Sequence, residues 1–300
     1  MPEATVNSSR QRRSDLYGLA AVFCWSTVAT AFKLSLAHLT PPQLLLVSSI
    51  VCWLFLGSIL AWRGTLGMAL FTLRGYSRLS LLMGAINPCL YYLVLFGAYA
   101  MLPAQEAQAI NYSWALTLSL LAVPLLGHAL RRRELLTALI SYAGVVVIAT
   151  RGQVTRLEFA SPLGVTLAVL STVLWSLYWI LNTRDTRDPV TALFLNFTMA
   201  LPILTLYCWL TGELTDIPRR GLPGAAYVGL FEMGVSFVLW SKAMKLTASA
   251  ARTATLIFIS PVLSLALIAT VLREPIRVST LVGLGLILTG VALQRVRPRR

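Results

Sequence analysis

Eleven carboxylates in 300 residues are few enough to weigh singly. Glu232 stands mid-way along the apolar stretch Leu222–Ser241, where an ionised side chain is costly unless it faces a cavity or a partner. Such a group suits a substrate ammonium or a proton; equally, it suits a protonated or hydrogen-bonded carboxyl that ties helices together. Asp185-Thr-Arg-Asp188 is a D-x-x-D pattern, of the kind that holds Mg²⁺ on a pyrophosphate in prenyl transfer. That chemistry needs a second, facing acidic cluster, and Arg184 and Arg187 would compete with the metal, so a charged turn without metal is the expectation. The P-loop, G-x-S-x-G and H-E-x-x-H patterns are absent; no catalytic residue and no cofactor is assigned. Cys24, Cys52, Cys89 and Cys208 lie in apolar stretches without CxxC spacing and read as buried thiols.

The elements that must position these residues belong to a membrane. The chain is 57% hydrophobic and 12% charged, with a mean hydropathy of +0.75. Soluble domains carry about 25% charged residues, so this chain has too few to cover a soluble surface. The net charge of +14 does not point to nucleic acid, because Lys and Arg sit in short runs between apolar stretches.

A spanning helix needs about 20 mostly apolar residues. Ten stretches qualify: Leu16–Ala37, Gln43–Trp62, Leu79–Leu102, Ala104–Gly127, Leu135–Thr150, Pro162–Leu181, Val190–Leu210, Leu222–Ser241, Ser249–Leu272 and Val278–Gln294. Only the eighth reads as carrying an interior charge, and Pro103 separates the third from the fourth. Residues 1–13 read as a disordered cytoplasmic tail. With both termini inside, eighteen of the 25 Lys and Arg fall on the cytoplasmic side, as the positive-inside rule requires.

The halves of the chain align at a shift of 146 residues: Gly18 falls on Gly164, Leu126 on Leu272, Arg131 on Arg277, Leu135 on Leu281, Gly144 on Gly290 and Arg151 on Arg297. Five spans per copy make the second enter the membrane from the opposite side. The expected fold is an all-α polytopic membrane protein, ten transmembrane helices in a 5+5 inverted repeat, with repeats over 14–152 and 160–296. Inverted repeats bind substrate near the bilayer midplane and transport by alternating access.

Candidate cavity residues follow from depth and helix face. Asn87-Pro88 kinks the third span, with Tyr91 one turn on. Gln108, Asn111 and Ala115 share a face of the fourth, and side-chain amides have no reason to face lipid. Eight Trp, ten Tyr and eleven Phe are present; Trp62 and Trp209 suit the interfaces, whereas Trp25, Tyr91, Trp175 and Tyr178 lie deep. The expected substrate-binding set is Trp25, Asn87, Tyr91, Gln108, Asn111, Trp175, Tyr178 and Glu232, with helix kinks at Pro88 and Pro261. The expected partners are a small-molecule substrate and the lipid bilayer, with a monomer as the assembly.

Together with the repeat, Ser260-Pro261, Leu272-Arg273-Glu274-Pro275 and the glycines Gly283, Gly285 and Gly290 resemble the EamA-like branch of the drug/metabolite transporter superfamily. A Trp-Ser pair, Trp25-Ser26 and Trp175-Ser176, marks the first helix of each copy. The first half departs from the pattern: Ala115 stands for Pro261 and His128 for Glu274. The aromatic-rich first half looks most like the bacterial aromatic amino acid exporters of that superfamily. The resemblance implies export of aromatic and other apolar amino acids across a bacterial inner membrane. Carriage of other metabolites or drugs ranks second, and a prenyltransferase-like membrane enzyme third.

Overall fold

The computed structural model describes residues 2–127, 132–156, 159, 161–247, 253 and 256–295. His128, Arg131, Ser249 and Arg297, all used above, lie outside the described residues. Every regular element among those described is helical. In chain order these are α1 (Pro2–Leu36), α2 (Pro41–Trp62), α3 (Leu66–Gly84), a π-helical turn (Ala85–Leu90), α4 (Tyr91–Met101), α5 (Ala104–Asn111), α6 (Trp114–Leu126) and α7 (Arg132–Ala149). They continue with α8 (Pro162–Asn182), α9 (Pro189–Leu210), α10 (Leu222–Tyr227), a second π-helical segment (Val228–Val235), α11 (Ser236–Leu246), α12 (Ile259–Val271) and α13 (Val278–Arg295).

Among the described residues, seven segments are long and apolar enough to cross a membrane: Arg10–Leu36, Pro41–Trp62, Leu66–Met101, Ala104–Leu126, Pro162–Asn182, Pro189–Leu210 and Arg219–Leu246. Leu135–Ala149, Leu256–Val271 and Val278–Leu293 are shorter apolar helices. Their starts are written locally. Thr40, Ser161 and Asp188 each cap a helix whose first residue is proline, which has no amide to leave unpaired. Phe23, Leu54, Leu136 and Leu163 are exposed while Ser48, Ser141, Thr172 and Asn196 are buried, the pattern of a chain whose outer solvent is hydrocarbon.

Three expectations are extended or corrected. Helix α1 begins at Pro2, so residues expected as a disordered tail are helical. Arg10 and Ser14 donate to the Lys245 and Ala243 carbonyls at 3.2 and 2.8 Å, and the Ala243 carbonyl also accepts the Thr247 amide. The helix of the third span starts at Leu66, ahead of its apolar stretch from Leu79, and carries Arg74 and Arg78. The fourth breaks at Tyr112–Ser113, so Ala115 lies on α6 and the face shared by Gln108 and Asn111 ends with α5.

The chain forms two compact units, Met1–Leu81 with Arg187–Leu267, and Leu82–Thr186 with Ile268–Arg300. Each draws helices from both halves of the sequence. In the first unit α1 packs on α11, and α2 packs on α9 and on the second π-helical segment. In the second unit α8 packs on α4 and α6, and α7 on α13. Lipid gives apolar faces no reason to prefer each other, so small residues and hydroxyls join the helices. Ser48 donates to the Ala225 carbonyl at 2.9 Å, Ser176 to Trp114 at 3.0 Å and Ser141 to Ile287 at 3.2 Å.

The α7–α13 contact is backbone to backbone. A Cβ on Gly144 would stand 2.5 Å from the Gly283 carbonyl oxygen, and one on Gly283 2.6 Å from that of Gly144. Backbone cannot yield as a flexible side chain does, and overpacking costs about 1–3 kcal/mol. Gly144→Ala is therefore expected to lower the unfolding temperature of the detergent-solubilised protein by several degrees. Gly285→Ala, whose added Cβ meets nothing within 4 Å, leaves it unchanged. Equal midpoints for the two variants would refute this account of the contact.

Candidate functional site

The second unit holds a ring cluster built on α8. Trp175 stacks on Tyr91 of α4 at 4.5 Å between centroids and on Tyr178 at 5.6 Å. Trp114 and Trp179 meet it edge-on at 6.4 and 5.8 Å. Helical spacing puts Trp175, Tyr178 and Trp179 on neighbouring faces of one helix. Tyr91 joins them because α4 starts where the third span breaks. Asn87 has non-helical angles (φ −138°, ψ 114°), as the residue before proline prefers. The kink expected at Pro88 is thus present, and the π-helical turn around it packs on α8. Pro261 instead sits in the first turn of α12, where its missing amide breaks no hydrogen bond.

Polar groups lie among these helices. Asn111 donates to Ser171 Oγ at 2.9 Å. Asn87 Oδ1, Gln108 Oε1 and Trp179 Nε1 are buried and have no hydrogen-bond partner among the described residues. Unmet buried polar atoms are expensive, so a ligand group or water that meets them gains correspondingly. Six of the eight expected binding residues therefore fall in this unit, with Tyr91, Trp175 and Tyr178 in direct ring contact.

Trp25 and Glu232 belong to the first unit. Trp25 lies 5.4 Å from Trp240 and 6.0 Å from Phe237, edge-on to the latter. Glu232, 7% exposed, sits in the second π-helical segment. Gly229 in the same segment lies against the α2 backbone, where a Cβ would collide with the Ser48 carbonyl. The widened turn displaces carbonyls from the ordinary helical ladder, and Ser236 Oγ donates to that of Phe231.

Sequence reasoning passed over Gln105 and Glu106. Glu106 lies in the first turn of α5 with a side chain 2% exposed, and accepts from Arg151 Nε at 2.9 Å and Arg277 Nη1 at 3.0 Å. Gln105 donates to Glu274 Oε1 and the Pro275 carbonyl, both at 2.8 Å, and accepts from the Arg277 amide and the Thr280 hydroxyl, both at 2.9 Å. Glu274 also accepts the Ala104 amide at 3.0 Å, so a residue 170 positions away caps a helix whose own N-cap is Pro103. The available signal was a carboxylate at the mouth of an otherwise uncharged apolar stretch.

Asp188 of the D-x-x-D pattern caps α9 through the Val190 and Thr191 amides. It also pairs with Lys245 at 3.1 Å and Arg63 at 3.9 Å. Burial pushes its carboxyl up, but the Lys245 hydrogen bond and the capping amides outweigh this and hold it below the usual carboxylate range. An apolar groove of about 710 Å³ in the first unit, lined by Trp53, Leu201, Pro202 and Trp209 among others, offers no titratable group.

With this geometry in place, comparison with known proteins is informative. The sequence model of the EamA-like transporter family matches residues 12–150 and 162–295. The chain is 28% identical over 297 residues to the aromatic amino acid exporter YddG of Ancylobacter novellus, covering 95% of this chain and 98% of that protein. It is 23% identical over 179 residues, 58% of each chain, to the uncharacterized transporter YyaM of Bacillus subtilis. One crystal structure aligns with a TM-score of 0.65 and 24% identity over 94% of this chain and 96% of that one, a likeness of fold.

Proposed function

The chain belongs to the EamA-like transporter family, and from that premise we propose that it exports aromatic and other apolar amino acids by alternating access between two inverted five-helix repeats. It is a multi-pass membrane transporter and not an enzyme. The observation that carries the substrate reading is the Trp175 cluster: stacked rings beside buried amide oxygens that lack partners. Rings grip an apolar side chain, while Asn87 and Gln108 accept from a charged ammonium. Similarity to an aromatic amino acid exporter over nearly the whole chain supports the same substrate class.

Two features support the inverted repeat. Shifting the π-helical turn 85–90 by 146 residues gives 231–236, overlapping the second π-helical segment. The helix pairs also correspond: α1 on α11 in one unit answers to α8 on α4 in the other. The seven long and three short apolar helices then make ten spans. Both termini are cytoplasmic on the Lys and Arg distribution. Reporter fusions are expected to give a cytoplasmic signal at the C-terminus and a periplasmic one in the loop 211–220; a cytoplasmic loop signal rejects the orientation.

Counterflow of labelled amino acids in proteoliposomes tests the function. Tryptophan and phenylalanine are expected to exchange faster than alanine or serine, and absence of exchange for all four defeats the reading. Glu232→Gln preserves shape and removes charge. It is expected to cut transport at least tenfold with little change in unfolding temperature, as a substrate- or proton-handling carboxyl requires. Parallel loss of folded protein would assign Glu232 a packing role.

A further inference from the structure

We propose that the N-terminal end of the third helix, residues 66–78, is a docking site for anionic phospholipid headgroups. The continuous span Leu66–Met101 has 36 residues. At 1.5 Å per residue that is about 54 Å of helix, against a hydrocarbon core of about 30 Å. The uninterrupted apolar part starts near Leu79, so the preceding turns stand in the headgroup zone. Their surface is two-sided. Tyr76 and Ser80 are held on one side by Arg187, whose guanidinium lies 5.2 Å from the Tyr76 ring centroid and donates to Ser80 Oγ at 2.6 Å. Arg187 also donates to Asn196 of α9, which fixes this end of α3 within its unit.

Two residues on, half a helical turn away from Tyr76 and Ser80, Phe71, Arg74 and Arg78 share the opposite face. All three are exposed, as is Met68 beside them. Arg74 lies 5.6 Å over the Phe71 ring, so charge and apolar surface form one patch. No carboxylate occurs in the sequence between Asp15 and Glu106, and the acidic residue near this end of the helix, Asp188, pairs with Arg63 and Lys245. Two arginines one turn apart suit a lipid phosphate, while the exposed Leu81, three residues further toward the hydrocarbon on the same face, suits the acyl chains below it. The apolar half of the patch favours a lipid over free phosphate.

Native mass spectrometry of the full-length protein in mixed micelles tests this, with equal amounts of phosphatidylglycerol and phosphatidylcholine. The wild type is expected to retain phosphatidylglycerol preferentially. Each arginine near an anionic surface contributes about 1 kcal/mol, so the double variant Arg74→Gln/Arg78→Gln should reduce that retention by about 25-fold and leave phosphatidylcholine unchanged. Leu81→Ser should weaken retention of both lipids. Equal retention of the two lipids by the wild type, or unchanged phosphatidylglycerol retention in the double variant, overturns the proposal. So does competition by millimolar inorganic phosphate, which would mark a soluble-anion site, or a change of oligomeric state in Leu81→Ser, which would mark a contact between copies.

Discussion

Trp175→Ala is expected to lower export of tryptophan and phenylalanine by about 10- to 100-fold while reducing that of alanine and serine far less. Trp175 is the hub of the ring cluster, touching Tyr91, Tyr178, Trp114 and Trp179. Burying a large apolar side chain against such a surface stabilises it by about 1.5–3 kcal/mol, and each 1.4 kcal/mol is a decade in affinity. A small substrate has little surface to lose, so the effect is selective. The substitution also removes a packed ring, and Trp175→Phe separates the two consequences. Phenylalanine keeps an aromatic face and should restore much of the transport. Loss of export to the same degree for every substrate, rescued by Phe together with thermal stability, would reduce Trp175 to helix packing.

The largest effect on stability should come from Glu106→Ala. The carboxylate is enclosed, while Arg151 and Arg277 remain 35% and 38% exposed at their side chains. Charge-assisted hydrogen bonds contribute about 1.5–3 kcal/mol each. Water reaches both arginines and screens the pair, so their sum is discounted to about 2–3 kcal/mol in all. The detergent-solubilised variant is expected to unfold roughly 5 °C or more below wild type. Glu106→Gln keeps one acceptor and should fall between the two. Arg151→Gln should cost least, because Glu106 retains Arg277. Differential scanning fluorimetry ranks the four proteins; an Arg151→Gln loss as large as that of Glu106→Ala would mean that the carboxylate does not bridge the two arginines.

How much of this was legible depended on the range of the physics. Hydropathy marked the ten apolar stretches, and Asn87-Pro88 marked the break, because both depend on residues within one or two turns. The helix of the third span reaches back past Arg74 and Arg78 to Leu66, because a helix continues through charges wherever it has left the hydrocarbon. The first turns of α1 looked disordered because the carbonyls that take Arg10 and Ser14 lie more than 200 residues away. Within the D-x-x-D pattern, Asp188 is a helix cap that also pairs with Lys245 and Arg63, partners 57 and 125 positions away.

The sequence by itself determined the class of protein, its helical content and its family. Apolar length, charge distribution and internal similarity are properties of the chain that no packing alters. Only the tertiary structure decided which faces meet: that Tyr91 stacks on Trp175, that Glu274 caps α5, and that Gly144 lies against Gly283. In water, a helix advertises its buried face by an apolar stripe. In lipid the outer face is apolar as well, so that periodicity fades. The contacts are then chosen by close approach of small residues and by polar groups that must find one another, which only the assembled helices reveal.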